Sequence, residues 1–460
     1  MTFAFYDFET TGTNPAFDQP LQFAAILTDD DFLEIDRINI RCRLAPHILP
    51  APMAMAITNV TPSMLMDRSL PSWFEFAEIL RHRIDKWSPA CWTGYNSIRF
   101  DEEVLRQTFY QNLQPEIFLT QTNGNQRMDM LRAVQSVRML AQDTLTWPEI
   151  AGKPTYKLDQ LAPANGFSDH KAHDALGDVL ATIHLARRIQ NRAPELWSAL
   201  LSNRNKADVI SRLSSGRPMV LIENHFGRLK VRKGSYCGVQ DNYMSAAAFF
   251  DLEASDPSDL VEADDDTIFA ALSGERRRIV AVATNRDPSL FDLPDPPTEI
   301  VHRAEIIASR PDFHRRVGAA LARRYQDRQE PADVEKLIYS GFYTSADKAL
   351  LTQFQVAKPP DRKELLNEIA DERLRKLGHR ILLNETPNLF ADEHLSKAAV
   401  ALAERWTSEL DRNGWNTDEQ VRNDLLKVKE MGLATEAQIE EIRTFVSARI
   451  SSAAAGKMPT

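Results

Sequence analysis

The stretch Phe3-Ala4-Phe5-Tyr6-Asp7-Phe8-Glu9-Thr10-Thr11-Gly12 constrains this chain most, because it sets two acids inside an apolar, aromatic-rich run that reads as a buried strand. Side chains on a strand alternate between faces, so Asp7 and Glu9 project together while Ala4, Tyr6 and Phe8 take the other side. Two carboxylates in a core are costly without a positive charge between them. A hard divalent cation meets that need, since carboxylate oxygens are its preferred ligands. A plainer reading stands beside it, in which one acid is a strand-end charge in water and the other caps the turn at Thr10-Thr11-Gly12.

The chain has 460 residues, room for two to four domains. No apolar run approaches the roughly 20 residues that span a bilayer, and the N-terminus lacks a basic region followed by an apolar core. The expectation is a soluble, cytoplasmic protein with no membrane partner. Cys42, Cys91 and Cys237 form no metal-ligand spacing and suit a reducing compartment. The formal net charge of −10 speaks against a polyanionic partner only on average, because an acidic protein can carry a basic groove.

After the first strand, Gln22–Thr28 and Glu34–Leu44 read as two more, joined by the acidic turn at Asp29-Asp30-Asp31. Thr61-Pro62 has the form of a helix start, and a longer helix is expected from Ser72 to Lys86. A short strand at Ala90–Tyr95, helices at Glu102–Asn112 and Met130–Ala141 (the latter capped by Asp129), and a helix opened by His173-Asp174 complete an α/β domain over residues 1–193. Residues 194–346 turn to short β-rich segments at Met219–Glu223, Arg228–Val239, Ala246–Glu253 and Arg278–Thr284, with a helix at Asp312–Arg328, and are expected to form a small barrel or sheet with helical insertions. Residues 350–460 lack strand alternation and should be helical, with a disordered tail from Ala453.

Three further residues join the first two acids. Asp101 shares a helical face with Val104, Leu105 and Phe109, although an aspartate that only caps its helix explains the position as well. Asp178 falls on a face with Ala175, Val179, Thr182 and Leu185, where an ionised group needs a partner. His173 precedes it at the helix start, placed to lie beside the same pocket as a general base. Asp174 is assigned to helix capping. Asp7, Glu9, Asp101 and Asp178 could converge on two divalent ions, Mg²⁺ or Mn²⁺ rather than zinc, with His173 beside them.

The pattern Asp7-x-Glu9, Asn96-x-x-x-Phe100-Asp101 and His173-x-x-x-x-Asp178 resembles the DEDDh 3′→5′ exonucleases, whose fold is ribonuclease-H-like. Tyr6-Asp7-Phe8-Glu9-Thr10, Pro20-Leu21-Gln22-Phe23-Ala24-Ala25, Gly94-Tyr95-Asn96, Ala164-Asn165-Gly166, Ala172-His173-Asp174-Ala175, Asn203-Arg204-Asn205-Lys206 and Tyr339-Ser340-Gly341-Phe342 are similar to the bacterial exodeoxyribonuclease I family. The resemblance implies a nuclease domain, an SH3-like β-barrel domain with insertions and a C-terminal helical domain. It implies processive degradation of single-stranded DNA from the 3′ end to 5′-mononucleotides, two Mg²⁺ ions that Mn²⁺ can replace, and a role in DNA repair and recombination. It also implies a monomer that docks the acidic C-terminal tail of single-stranded-DNA-binding protein. By matching position, Asp7, Glu9, Asp101 and Asp178 would be metal ligands and His173 the general base. Asn59 stands where such nucleases usually have glycine, and asparagine tolerates the same left-handed backbone.

For a DNA path, Arg228, Lys230 and Arg232 occupy one face of a strand and could track phosphates, or form an ordinary solvated face. Arg276-Arg277-Arg278 and the helix bearing Arg315, Arg316, Arg323 and Arg324 have the same status. Phe17, after the Asn14-Pro15 turn, is the aromatic expected to be exposed for base stacking, Lys157 is a candidate phosphate contact, and Glu9 belongs to the substrate-binding set as well. Two alternatives remain at this point. One is a DEDDh exoribonuclease acting on RNA or tRNA ends, against which the long C-terminal half argues. The other is a catalytically silent nucleic-acid-binding scaffold, against which the complete set of acids argues.

Overall fold

The computed structural model describes residues 1–168, 173–225, 227–240, 245–274, 277–324, 330–409 and 414–459. The opening stretch becomes β1 (Phe3–Thr10), the central strand of a five-stranded mixed sheet. It pairs antiparallel with β2 (Pro20–Thr28), which pairs antiparallel with β3 (Glu34–Arg41). On its other side it runs parallel to β4 (Cys91–Gly94), and β4 runs parallel to β5 (Gln126–Asp129), giving the order β3-β2-β1-β4-β5. β5 is a strand the sequence does not announce, because Gln126-Arg127-Met128-Asp129 carries one apolar side chain.

The alternation in β1 divides two cores. Tyr6, Phe8, Phe23 and Trp92 pack beneath the helix Trp73–Trp87, which begins with a capping box between Ser72 and Glu75. Phe3, Phe5, Ala24 and Ile26 face the helices Met130–Leu140 and Ala175–Arg192. Each fully buried aromatic ring contributes roughly 1.5–3 kcal/mol, which holds β1 in place although Asp7 and Glu9 continue the second face. Asn59 takes the left-handed conformation, φ 53°, as its place in the loop requires.

After a short hairpin of β6 (Glu149–Ile150) and β7 (Lys153–Pro154), a second sheet is antiparallel throughout. It comprises β8 (Met219–His225), β9 (Arg228–Val239), β10 (Ala246–Asp251), β11 (Ile279–Ala283) and the three-residue β12 (Leu290–Asp292), in the order β11-β10-β9-β8-β12. Val220, Ile222 and Phe291 join the core that contains Phe3 and Phe5, so this sheet leans on the first. Phe250, Cys237 and Ile279 instead face the helices Thr298–Ala308 and Pro311–Arg323. The expected continuation of the second helix to Arg328 lies outside the described residues from 325 onward.

The C-terminal region is helical, from Ser345–Val356 to Glu436–Ala454. Its Leu351, Leu377, Trp406 and Val446 belong to the same core as Tyr6 and Phe8, so these helices form a further layer on the first sheet. The tail corrects the expected disorder: Ala453 and Pro459 are buried, because alanine side chains are small enough for the last helix to pack closely. Among the described residues no helix is long and apolar enough to cross a membrane.

Candidate active site

Asp7 and Glu9 project from the C-terminal half of β1, and Asp178 from the first turn of the helix that packs across β1 and β2. The three each bring a carboxylate oxygen to within 4.8 Å of the others. Burial raises the Asp7 carboxyl well above the usual range, and the charges of Asp101, Asp178 and Glu9 push it further. Burial, then Asp178 and Asp101, push Glu9 up to about 8, while the charge of Arg41 opposes the rise. Such a trio cannot be ionised together in a partly dry pocket unless a cation compensates it.

Asp101 stands beside the trio. It opens the helix Asp101–Gln111, is 3% exposed, and its Oδ1 accepts the N–H of Phe8 at 3.0 Å. Burial raises its carboxyl too. The chain reaches this position through a tight turn after β4. A Cβ on Gly94 would lie 2.4 Å from the carbonyl oxygen of Tyr6, so glycine is required there. Asn96 adopts φ 63°, and the Asp129 carboxylate fixes the turn by accepting the N–H groups of Asn96 at 3.0 Å and Ile98 at 3.3 Å. Asp129 also caps its own helix through Leu131, as the sequence suggests.

His173 is exposed, adopts φ 62° and precedes the helix by two residues, without an ion pair or side-chain hydrogen bond to any described residue. Ala172 of its motif lies outside the described residues. Asp174 corrects its assignment: it occupies the cap position, but its side chain makes no capping bond. Gln22 of β2 lies beneath it and supplies a donor instead, Nε2 to Oδ1 at 2.9 Å, which aims Asp174 toward the acids. Its charge acts on both Asp7 and Glu9.

The expected DNA contacts divide. Phe17 is not the exposed aromatic anticipated: it is 7% exposed, meets Trp415 edge-on at 5.6 Å, and lies under Lys336 and Arg405, each 5.1 Å from its ring. A base cannot stack on a ring already covered. Arg232 is likewise no free phosphate contact, because its guanidinium is 3% exposed and bonded to Glu223 and Asp251. Lys230 is half-exposed with Asp251 3.6 Å away, and Arg228 and Lys157 are exposed. Arg277, Arg278, Arg316 and Arg323 all face acids, and Arg276 lies outside the described residues.

Two features escape a reading of the sequence. Glu102, next to Asp101, is fully buried and receives Arg106 Nη2 at 2.9 Å, Arg127 Nη1 at 3.0 Å, Thr120 Oγ1 at 2.7 Å and the Tyr6 hydroxyl at 3.2 Å. Arg127 also bonds the carbonyl of Asn285 at 2.7 Å, and Arg106 the hydroxyl of Tyr339 at 3.1 Å, so one carboxylate ties the first sheet to two separate points of the middle region. The second feature is a groove of about 620 Å³ running from Asn96, Arg99 and Arg132 to Asn224, His225 and Ser289. Its walls come from four segments spread between Asn96 and Ser289, so no local pattern in the sequence signals it.

A mixed sheet that brings acids together from its central strand, from a helix start and from the helix packed across it defines an exonuclease, and residues 4–186 match the family described as Exonuclease. The chain is 30% identical to exodeoxyribonuclease I of Escherichia coli strain K12, over 82% of this chain and 84% of that protein. It is 25% identical to exodeoxyribonuclease I of Buchnera aphidicola subsp. Schizaphis graminum, over 83% of this chain and 82% of that protein. The crystal structure of E. coli exonuclease I in complex with a dT13 oligonucleotide superimposes with a TM-score of 0.83 at 26% identity, covering 97% of this chain and 99% of that one. A moderately thermophilic exonuclease I from Methylocaldum szegediense gives 0.80 at 25%, covering 98% and 99%. The chain belongs to the exodeoxyribonuclease I family.

Proposed function

We propose that the protein hydrolyses single-stranded DNA from its 3′ end, releasing 5′-mononucleotides processively, and that Asp7, Glu9, Asp101 and Asp178 hold two Mg²⁺ ions, for which Mn²⁺ can substitute. The observation that carries this reading is the trio of carboxylates within 4.8 Å of one another, with Asp101 beside it. An all-oxygen, multiply acidic donor set fits a hard divalent cation and lacks the thiols and paired imidazoles that favour zinc. Divalent ions bound there supply Lewis-acid polarisation of the phosphodiester and a lowered pKa for a bound water. His173, exposed at the start of the Asp178 helix, would take the proton of the attacking water. The O3′–P bond then breaks and the terminal nucleotide leaves with the phosphate.

The groove with Arg99, Arg132 and His225 gives the upstream strand a route to the acids between the two sheets, with Arg228, Lys230 and Lys157 exposed for phosphate contact. The relatives solved with oligonucleotides support this substrate class. The resemblance supports the rest of the reading. That comprises a nuclease domain over 1–193, an SH3-like domain over 194–346 and a helical domain over 350–460, a cytoplasmic monomer acting in DNA repair and recombination, and docking of the acidic tail of single-stranded-DNA-binding protein.

The test uses 5′-labelled single-stranded DNA, its duplex and the matching RNA, each incubated with Mg²⁺ and then with EDTA. Mg²⁺-dependent shortening of the single-stranded DNA alone is expected. Preferential loss of RNA would move the protein to the exoribonucleases, and loss of no substrate would mark a silent binding protein.

A further inference from the structure

Arg41 ends β3, and the sheet register sets it in one row with the acids: Glu9 pairs with Gln22, and Gln22 with Arg41. Residues paired across strands project to the same face, so Arg41 stands on the side of the sheet that carries Asp7 and Glu9. Two strand spacings separate it from Glu9, about 10 Å between backbones, a gap that an extended arginine largely covers.

Arg41 is half-buried, yet it makes no ion pair and no side-chain hydrogen bond with any described residue. Its neighbours are engaged: Arg37 with Glu34, Arg83 with Asp36, and Arg43 with the carbonyls of Arg68 and Leu70. Gln22, which stands between Arg41 and Glu9, commits its amide hydrogens to Asn39 and Asp174, both at 2.9 Å. A guanidinium whose charge acts on Glu9, yet which is bonded to no described acid, is available to an anion that arrives with the substrate.

Its place in the row says which anion. The groove's end at Asn96 and Asp129 lies on the β4–β5 side of the central strand that carries Asp7 and Glu9, whereas Arg41 lies on the opposite side, beyond β2. A strand entering along the groove passes the acids first, and its terminal nucleotide comes to rest toward Arg41. We infer that Arg41 grips the 5′-phosphate of the terminal nucleotide at the product end of the site. This rests on the exonuclease reading above. In the step itself the water oxygen bonds to phosphorus, the P–O3′ bond breaks, the leaving O3′ takes a proton, and the phosphate passes from one negative charge to two. A forked guanidinium binds the more highly charged product group more strongly than the diester.

The experiment measures inhibition of oligonucleotide hydrolysis by 2′-deoxyadenosine 5′-monophosphate and by deoxyadenosine, with Mg²⁺, for the full-length wild type, Arg41→Ala and Arg41→Lys. The inhibition constant for the monophosphate is expected to rise about tenfold in Arg41→Ala, the loss of one charge-assisted contact, and to recover in part in Arg41→Lys, with deoxyadenosine unchanged. If Arg41 only offsets the charge of the acids, the monophosphate and the nucleoside keep their ratio in every variant, which overturns the inference. Arg41→Gln, which keeps most of the stem, gives the same readout should the alanine variant fail to fold. A wild type that releases no mononucleotide from the oligonucleotide overturns the exonuclease reading, a result distinct from a wild type that cleaves but whose inhibition ignores Arg41.

Discussion

The N–H of Phe8 donates to Oδ1 of Asp101 at 3.0 Å, so the central strand itself holds one oxygen of an acid that arrives more than 90 residues later. The bond fixes where the carboxylate sits and leaves its second oxygen for the pocket.

Asp101→Asn keeps an acceptor at Oδ1 and removes the charge. The variant should melt no lower than the wild type and lose about 10²–10³-fold or more in single-turnover hydrolysis. Asp101→Ala, which loses the bond to Phe8 as well, should lose melting temperature in addition. Thermal melts beside single-turnover rates separate the two effects.

The acids make the metal-free protein pH-sensitive. Asp7 and Glu9 have folded pKa values raised above their unfolded values of about 4, Glu9 to about 8. A carboxyl raised in this way costs nothing below its unfolded pKa and progressively destabilises the fold as pH climbs toward its folded pKa. In EDTA the protein should therefore lose stability between about pH 4 and pH 8 through these groups, by an order of 1–3 kcal/mol after allowance for their partial exposure. Asp7→Asn should raise the melting temperature of the metal-free protein at pH 8 and flatten this dependence, and Mg²⁺ should do the same for the wild type. Parallel melting curves for wild type and Asp7→Asn across that range would refute the account.

Glu102→Ala leaves Arg106 and Arg127 buried without their shared partner. The expected cost is about 3–5 kcal/mol, read as a lower denaturant midpoint. A change under about 1 kcal/mol would show that the two guanidiniums find other acceptors.

Phe17→Ala distinguishes a core ring from a base-stacking one. Stability should fall by about 3–4 kcal/mol, while single-stranded DNA affinity in EDTA stays within about twofold. Loss of a stacked base would instead cost about 1–3 kcal/mol of affinity.

The reach of the sequence follows from which contacts are local. Asp7 and Glu9 are legible because a period of two sends them to one face, and Asp178 because a charge on an apolar helical face needs a partner. Phe17 misleads because the turn at Asn14-Pro15 does suggest exposure, while the residues that cover it, Arg405 and Trp415, lie about 400 positions away. Arg232 misleads for a related reason: alternation gives its face, but Asp251 on β10 and Glu223 on β8 decide whether its charge is free. Asp174 has the composition of a cap and is drawn off by Gln22. Arg41 is silent in sequence, since its row depends on two strand registers and on a shift between Leu27 and Thr28.

The most direct measurement is anomalous diffraction from crystals soaked with Mn²⁺. Two peaks roughly 4 Å apart, bounded by the carboxylates of Asp7, Glu9, Asp101 and Asp178, are the expected result. Saturating Mn²⁺ with no peak at these carboxylates, in a protein that still degrades single-stranded DNA, would contradict the account.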